Sequence, residues 1–134
     1  MKRPAKFLTA CAFAGLVAIV AVSGLDALSA REPAAAGKTR PAAFLLCAGC
    51  HSTEPGKHIF GPSLAGVSGR KAGSVPGFAY SKALKGSDFA WNRANLDAWL
   101  ISPEKFVPGT RMPFTGIADP AKRKEVVDYL LTLD

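Results

Sequence analysis

Residues 47–51 read CAGCH, that is Cys47, Ala48, Gly49, Cys50 and His51. Two thiols and an imidazole so close together suit three chemistries: a metal site, a redox dithiol, or covalent attachment of a haem. The rest of the chain decides among them by the partners it supplies. A structural zinc site needs four ligands, commonly with a second Cys or His pair downstream. After His51 the sequence offers no further cysteine and one further histidine, His58. A thioredoxin-type dithiol belongs at the strand-to-helix junction of an α/β fold. No stretch of this chain alternates apolar and polar residues as a half-buried strand does. Covalent haem attachment is specified by C-x-x-C-H itself: the sulfurs bond the haem vinyl carbons, and the next residue offers its imidazole to the iron.

That reading calls for a second iron ligand. Haem iron in electron carriers is commonly held by one histidine and one methionine. The sequence has two methionines, and Met1 is the initiator, so Met112 is the thioether available. It sits in VPGTRMPF, residues 107–114, where two prolines and a glycine fix an irregular loop that can hold a side chain rigidly. By itself a methionine is ordinary core filler. Beside CAGCH it is the candidate ligand opposite His51.

Upstream, Lys2, Arg3 and Lys6 precede an apolar run from Phe7 to Val22, and Ala27-Leu28-Ser29-Ala30 follows. A basic start, a short apolar core and small residues near a cut site describe a secretory signal. Extended to Leu25, the run is also just long enough to span a bilayer. Residues 1–30 therefore read as a signal peptide or an uncleaved N-terminal anchor, and the remainder works in the periplasm. Cys11 lies inside the run as a bystander, which leaves Cys47 and Cys50 as the thiols of the exported part. Residues 31–40, REPAAAGKTR, read as a flexible linker. The folded unit is 41–134, small enough to be helped by a covalent or ligand staple.

Within that unit the sequence predicts an all-α fold. Asp119 is a natural N-cap and Pro120 suits the first helical position. Val126, Tyr129, Leu130 and Leu133 then form one apolar stripe. Asn92 caps a helix that places Leu96, Trp99 and Leu100 on one side, and Ser102-Pro103 stops it. A third helix is expected from Thr39 or Pro41 to about Cys50, carrying Phe44 and Leu45. Between them, Ser52 to Gly77 is rich in Gly, Pro, Ser and Lys. Loops that long are unusual in a small domain unless they wrap something.

These motifs, in this order, resemble the class I c-type cytochromes, small monohaem electron carriers of bacterial and mitochondrial type, over essentially all of residues 41–134. The resemblance implies the cytochrome c fold, with three main helices, short helices and long loops around one covalent haem c. It implies that Cys47 and Cys50 carry the haem and that His51 and Met112 are the axial ligands. GPSLAGVSGRKAG, residues 61–73, is similar to the family loop in which Pro62 packs behind His51 and orients it. Arg70, Tyr80, Trp91 and Thr110 align with residues that bind or screen the haem propionates; a propionate buried without donors is very costly. His58 aligns with a histidine that ties two loops together. Three positions depart from the family: Leu84 stands where many relatives have asparagine, Trp99 where many have a tyrosine near the methionine sulfur, and Leu46 where a lysine is common.

Charge points to partners. The chain carries 17 basic and 10 acidic residues; beyond residue 30 the balance is 14 − 9, or +5 before the propionates. No basic stripe with interleaved aromatics suggests nucleic acid. The expected partners are acidic docking surfaces of membrane redox complexes, a quinol–cytochrome c reductase-like donor and a terminal oxidase-like acceptor, met by a monomer through weak, fast contacts. The membrane itself is reached only through an uncleaved N-terminal segment. The expected activity is one-electron carriage, not catalysis. The alternatives are a dedicated electron-transfer subunit of one dehydrogenase or oxidase, and a haem peroxidase-type enzyme, which needs the open iron position that Met112 closes.

Overall fold

In the computed structural model, which describes residues 39–133, three of the described α-helices open on a capping side chain. The signal-or-anchor reading of residues 1–30 and most of the linker at 31–40 lie outside the described residues. Five α-helices follow one another: α1 (Leu45–Ala48), α2 (Lys82–Lys85), α3 (Arg93–Ile101), α4 (Pro103–Phe106) and α5 (Pro120–Leu130). Among the described residues there is no strand, only an isolated antiparallel bridge between Lys71 and Ala90. Nor is any described helix long and apolar enough to cross a membrane.

The caps account for the boundaries. Asp119 accepts from the amides of Ala121 and Lys122 at 2.9 and 3.2 Å, with Pro120 in the first turn of α5. Asn92 accepts from the Asn95 amide at 2.9 Å to open α3. Ser102, extended at φ −166° before Pro103, ends it. Ser81 caps α2 by accepting from the Leu84 amide at 3.1 Å. The first expected helix is shorter than its sequence suggests. It starts as a 3-10 turn, Ala42–Phe44, after an extended Pro41, and continues as α1 only to Ala48. Pro41 has no capping side chain to offer. Leu45 is exposed, and Phe44 alone of the pair enters the core.

The protein-only core lies where α5 meets α3 and the N-terminal turn. Phe44 and Tyr129 pack edge to face with centroids 4.9 Å apart. Val126, Val127, Leu130, Leu96 and Leu100 are buried around them. Each such side chain contributes about 1.5–3 kcal/mol by leaving water. Polar ties hold the same helices: Arg123 Nε meets Asp97 at 2.7 Å, while Arg93 of α3 and Lys124 of α5 both engage Asp128.

From Gly49 to Ser81 the backbone forms no helix and is fastened at points. The Gly61 amide donates to Cys50 at 2.7 Å, Leu64 to Ser52 at 2.9 Å, and Gly69 to Trp91 at 2.8 Å. The second long loop, after α4, returns across the end of α3, with the Ile117 amide donating to Leu100 at 2.7 Å. Gly116 permits that crossing: its φ is +107°, and a Cβ there would lie 1.9 Å from the Ile101 carbonyl oxygen. The two loops face one cavity.

Candidate functional site

The turn that follows α1 assembles one wall of the site. The amides of Cys50 and His51 both donate to the Cys47 carbonyl, at 3.0 and 2.9 Å, which folds the two thiols and the imidazole toward one cavity. The cysteines form no disulfide. Cys47 is buried, and burial, then the neighbouring Cys50 thiol, push its pKa up to about 11. A thiol held protonated in this way is a poor thiolate nucleophile and a poor metal ligand. Among the described residues no group of three or more His, Cys, Asp and Glu side chains could hold a metal ion.

His51 is fixed by its other nitrogen. Nδ1 lies 2.8 Å from the Pro62 carbonyl oxygen. A carbonyl only accepts, so Nδ1 carries the proton and Nε2 keeps its lone pair. Burial lowers the His51 pKa, and the Pro62 bond opposes this. The neutral ring is the metal-binding form. Gly61 gives the ring its room: a Cβ there would fall 2.3, 2.6 and 2.8 Å from Cε1, Nδ1 and Nε2. The sequence reading missed Gly61, although a glycine directly before the proline that holds the histidine was a usable signal.

Met112 reaches the same cavity from the loop after α4. Gly109, at φ +85°, turns the chain, and Phe114 donates its amide to the Met112 carbonyl at 2.9 Å. The structure brings all nine residues singled out from sequence, Cys47, Cys50, His51, Pro62, Arg70, Tyr80, Trp91, Thr110 and Met112, into the lining of one cavity of about 640 Å³. Leu46, Leu84 and Trp99, the three departures from the family pattern, line it as well. Trp99 packs edge to face on Trp91 at 5.2 Å. His58 stays out: its Nε2 lies 3.0 Å from the Pro76 carbonyl, and its Nδ1 accepts from the Ser63 amide at 3.1 Å. Both nitrogens bond backbone, as expected, and tie separate stretches of the 49–81 segment together.

A haem fits this donor set. The lining is mostly apolar, with thiols, an imidazole and a thioether as its soft ligands. It also contains an unanswered cation. Arg70 donates through Nη1 to Ala65 and through Nη2 to Ser63, the latter at 3.2 Å, but its buried Nε has no partner. Burial lowers the Arg70 pKa, with the nearby Tyr80 acting in the opposite sense. A buried guanidinium N–H without an acceptor is costly, and a propionate oxygen is an acceptor of the right charge. Tyr80, whose pKa burial raises, faces the same cavity.

No family model matches the sequence. Individual proteins do. The chain is 46% identical over 93 residues to cytochrome c2 iso-2 of Magnetospirillum molischianum, covering 69% of this chain and 96% of that protein. It is 48% identical over 88 residues to cytochrome c2 of Rhodoblastus acidophilus, covering 65% of this chain and 82% of that one. Among solved structures, cytochrome cH from Methylobacterium extorquens superposes with a TM-score of 0.62 at 47% identity, covering 66% of this chain and 89% of that one.

Proposed function

Because the chain belongs to the class I c-type cytochromes, we propose that Cys47 and Cys50 hold its haem through thioether bonds while His51 and Met112 ligate the iron. As a member of that family the protein is a periplasmic monohaem electron carrier with one covalent haem c. The bound haem supplies an iron that alternates between ferric and ferrous states. The chain's own residues set the conditions for that exchange. The Pro62 carbonyl bonds the His51 ring and Gly61 lies close against it, which would hold Nε2 in one direction. The Met112 thioether, a soft ligand, favours the ferrous state and raises the potential. Arg70, Tyr80, Trp91 and Thr110 would hold the propionates, with the partnerless Arg70 Nε free to donate to a carboxylate. The apolar lining excludes water, so little solvent has to reorganise on transfer.

Carriage, not catalysis, follows from that ligand set, since Met112 would occupy the position a peroxidase-type enzyme needs open. The partners are acidic docking surfaces of membrane redox complexes, a quinol–cytochrome c reductase-like donor and a terminal oxidase-like acceptor, approached by a monomer with net charge +5 beyond residue 30. Residues 1–30 serve export, as a cleaved signal or an uncleaved anchor, residues 31–40 link, and 41–134 form the haem domain. The observation that carries the reading is the convergence of both thiols, His51, Met112 and Arg70 on one cavity.

Met112→Ala tests it. The haem should stay attached, the midpoint potential should fall, and the reduced variant should bind carbon monoxide far faster than the wild type. Oxidised and reduced spectra identical to those of the wild type would assign the sixth position to another residue.

A further inference from the structure

Met112 sits on a loop with few means of holding its own shape. Pro108 and Pro113 have no amide hydrogen to donate, and Gly109 gives the chain its widest choice of backbone angles. What holds the turn has to come from outside it.

The loop leaves from a fixed base. Pro103 opens α4 and is fully buried. Phe106, on the same helix, packs edge to face on Phe89 at 5.2 Å and on Trp99 at 6.4 Å. The Val107 amide closes α4 by donating to the Pro103 carbonyl at 2.8 Å. Glu104 carries that base forward, because its Oε1 accepts from the Gly109 amide at 3.0 Å. Gly109 lies at φ +85°, a conformation that glycine adopts without steric cost. Ala83 of α2 stands against it, with its Cβ 3.5 Å from where a Gly109 Cβ would lie. Beyond the turn, the Thr110 amide donates back to Val107 at 3.1 Å.

Resting on the reading of Met112 as an iron ligand, we propose that Glu104 is the positioning residue for its thioether. The carboxylate holds Gly109 in the turn, three residues before Met112, so that the sulfur is presented to the cavity in one place. The bond is exposed, and water competes for both of its ends. Its effect is therefore local, on how often this one loop opens away from the cavity. A carrier needs the same ligand before and after the electron passes, and a loop held shut by Glu104 provides that.

The test uses the haem-loaded ferric protein and imidazole, a neutral ligand on which the charge at position 104 exerts no pull. Imidazole takes the sixth position only when Met112 leaves it, so at saturating imidazole the displacement rate reads loop opening. Loss of the long-wavelength sulfur-to-iron absorption follows the step. Glu104→Ala should raise the rate about fivefold, which corresponds to about 1 kcal/mol, the usual net contribution of one hydrogen bond. Glu104→Gln keeps an acceptor oxygen of the same reach and should stay within about twofold of the wild type. Phe44→Ala, which loosens the fold from outside the cavity, should leave the rate unchanged. A Glu104→Ala rate equal to that of the wild type overturns the proposal. So does Glu104→Gln as fast as Glu104→Ala, which assigns the effect to charge. A Phe44→Ala rate raised as much as that of Glu104→Ala also overturns it, since the rate then reports general loosening. A wild type that lacks the sulfur-to-iron absorption overturns the reading of Met112 itself, and this inference with it.

Discussion

The molecule has two regions built on different principles. Around α3, α5 and the Ala42–Phe44 turn, the chain fills its own interior: Val126 and Val127 are essentially inaccessible, and Phe44 seats against Tyr129. Around the loops at 49–81 and 107–117, backbone bonds fasten the chain at points but side chains do not close the space, and a cavity of about 640 Å³ remains. In the first region the chain's own side chains supply the buried apolar surface. The second reaches comparable burial only when its cavity is filled, because loops without helical ladders cannot otherwise offset their conformational entropy. In a domain this small, the covalent filler is part of the core.

The sharpest way to break the comparison is to remove the attachment. With Cys47→Ala and Cys50→Ala the haem cannot be held covalently, and the loop region loses the filler it is built around. The expected result is an apoprotein with no cooperative thermal transition by circular dichroism. A variant melting within a few degrees of the wild type would show that the loops pack without a filler. A smaller effect, confined to the first region, is expected from Phe44→Ala. Phe44 is fully buried yet does not line the cavity. Urea unfolding should report a loss of about 3–5 kcal/mol, with the haem spectrum and potential unchanged. A shifted potential would mean that the two regions are coupled and not separable.

The same division explains what was legible in the sequence. Local chemistry was: Asp119 and Asn92 announce α5 and α3 because capping is a short-range bond, and the structure shows both. The site residues were legible for a different reason. CAGCH and Met112 were read together from their own chemistry, and a family resemblance added Pro62, Arg70, Tyr80, Trp91 and Thr110, which line the same cavity. What escaped depends on contacts distant in sequence. The first helix ends at Ala48, and Phe44 turns inward against Tyr129, far along the chain. The need for glycine at Gly61 and Gly116 appears only once His51 and Ile101 are placed against them. The Ser81 cap of α2 escaped because a four-residue helix has no periodicity to read.

The smallest effect expected lies at the polar seam of the helical region. Asp128 on α5 bonds Lys124 one turn earlier at 2.7 Å and pairs with Arg93 on α3. The bond from Lys124, followed by that from Arg93, holds its carboxyl below the usual range, with burial acting the other way. A carboxyl whose pKa is lower folded than unfolded stabilises the fold at pH values above the unfolded pKa, about 3.9. That stability is lost as the pH falls through the folded pKa. Arg93 and Lys124 are largely exposed, so solvent screens the pair and Asp128→Asn should cost only about 0.5–1 kcal/mol at neutral pH. The gap between variant and wild type should hold from pH about 7 down to about 5. It should then narrow as the carboxyl protonates, since the wild type alone has a charge to lose. A gap that persists undiminished in strong acid would show that Asp128 works by hydrogen-bond geometry alone. The tie between α3 and α5 would then owe nothing to its charge.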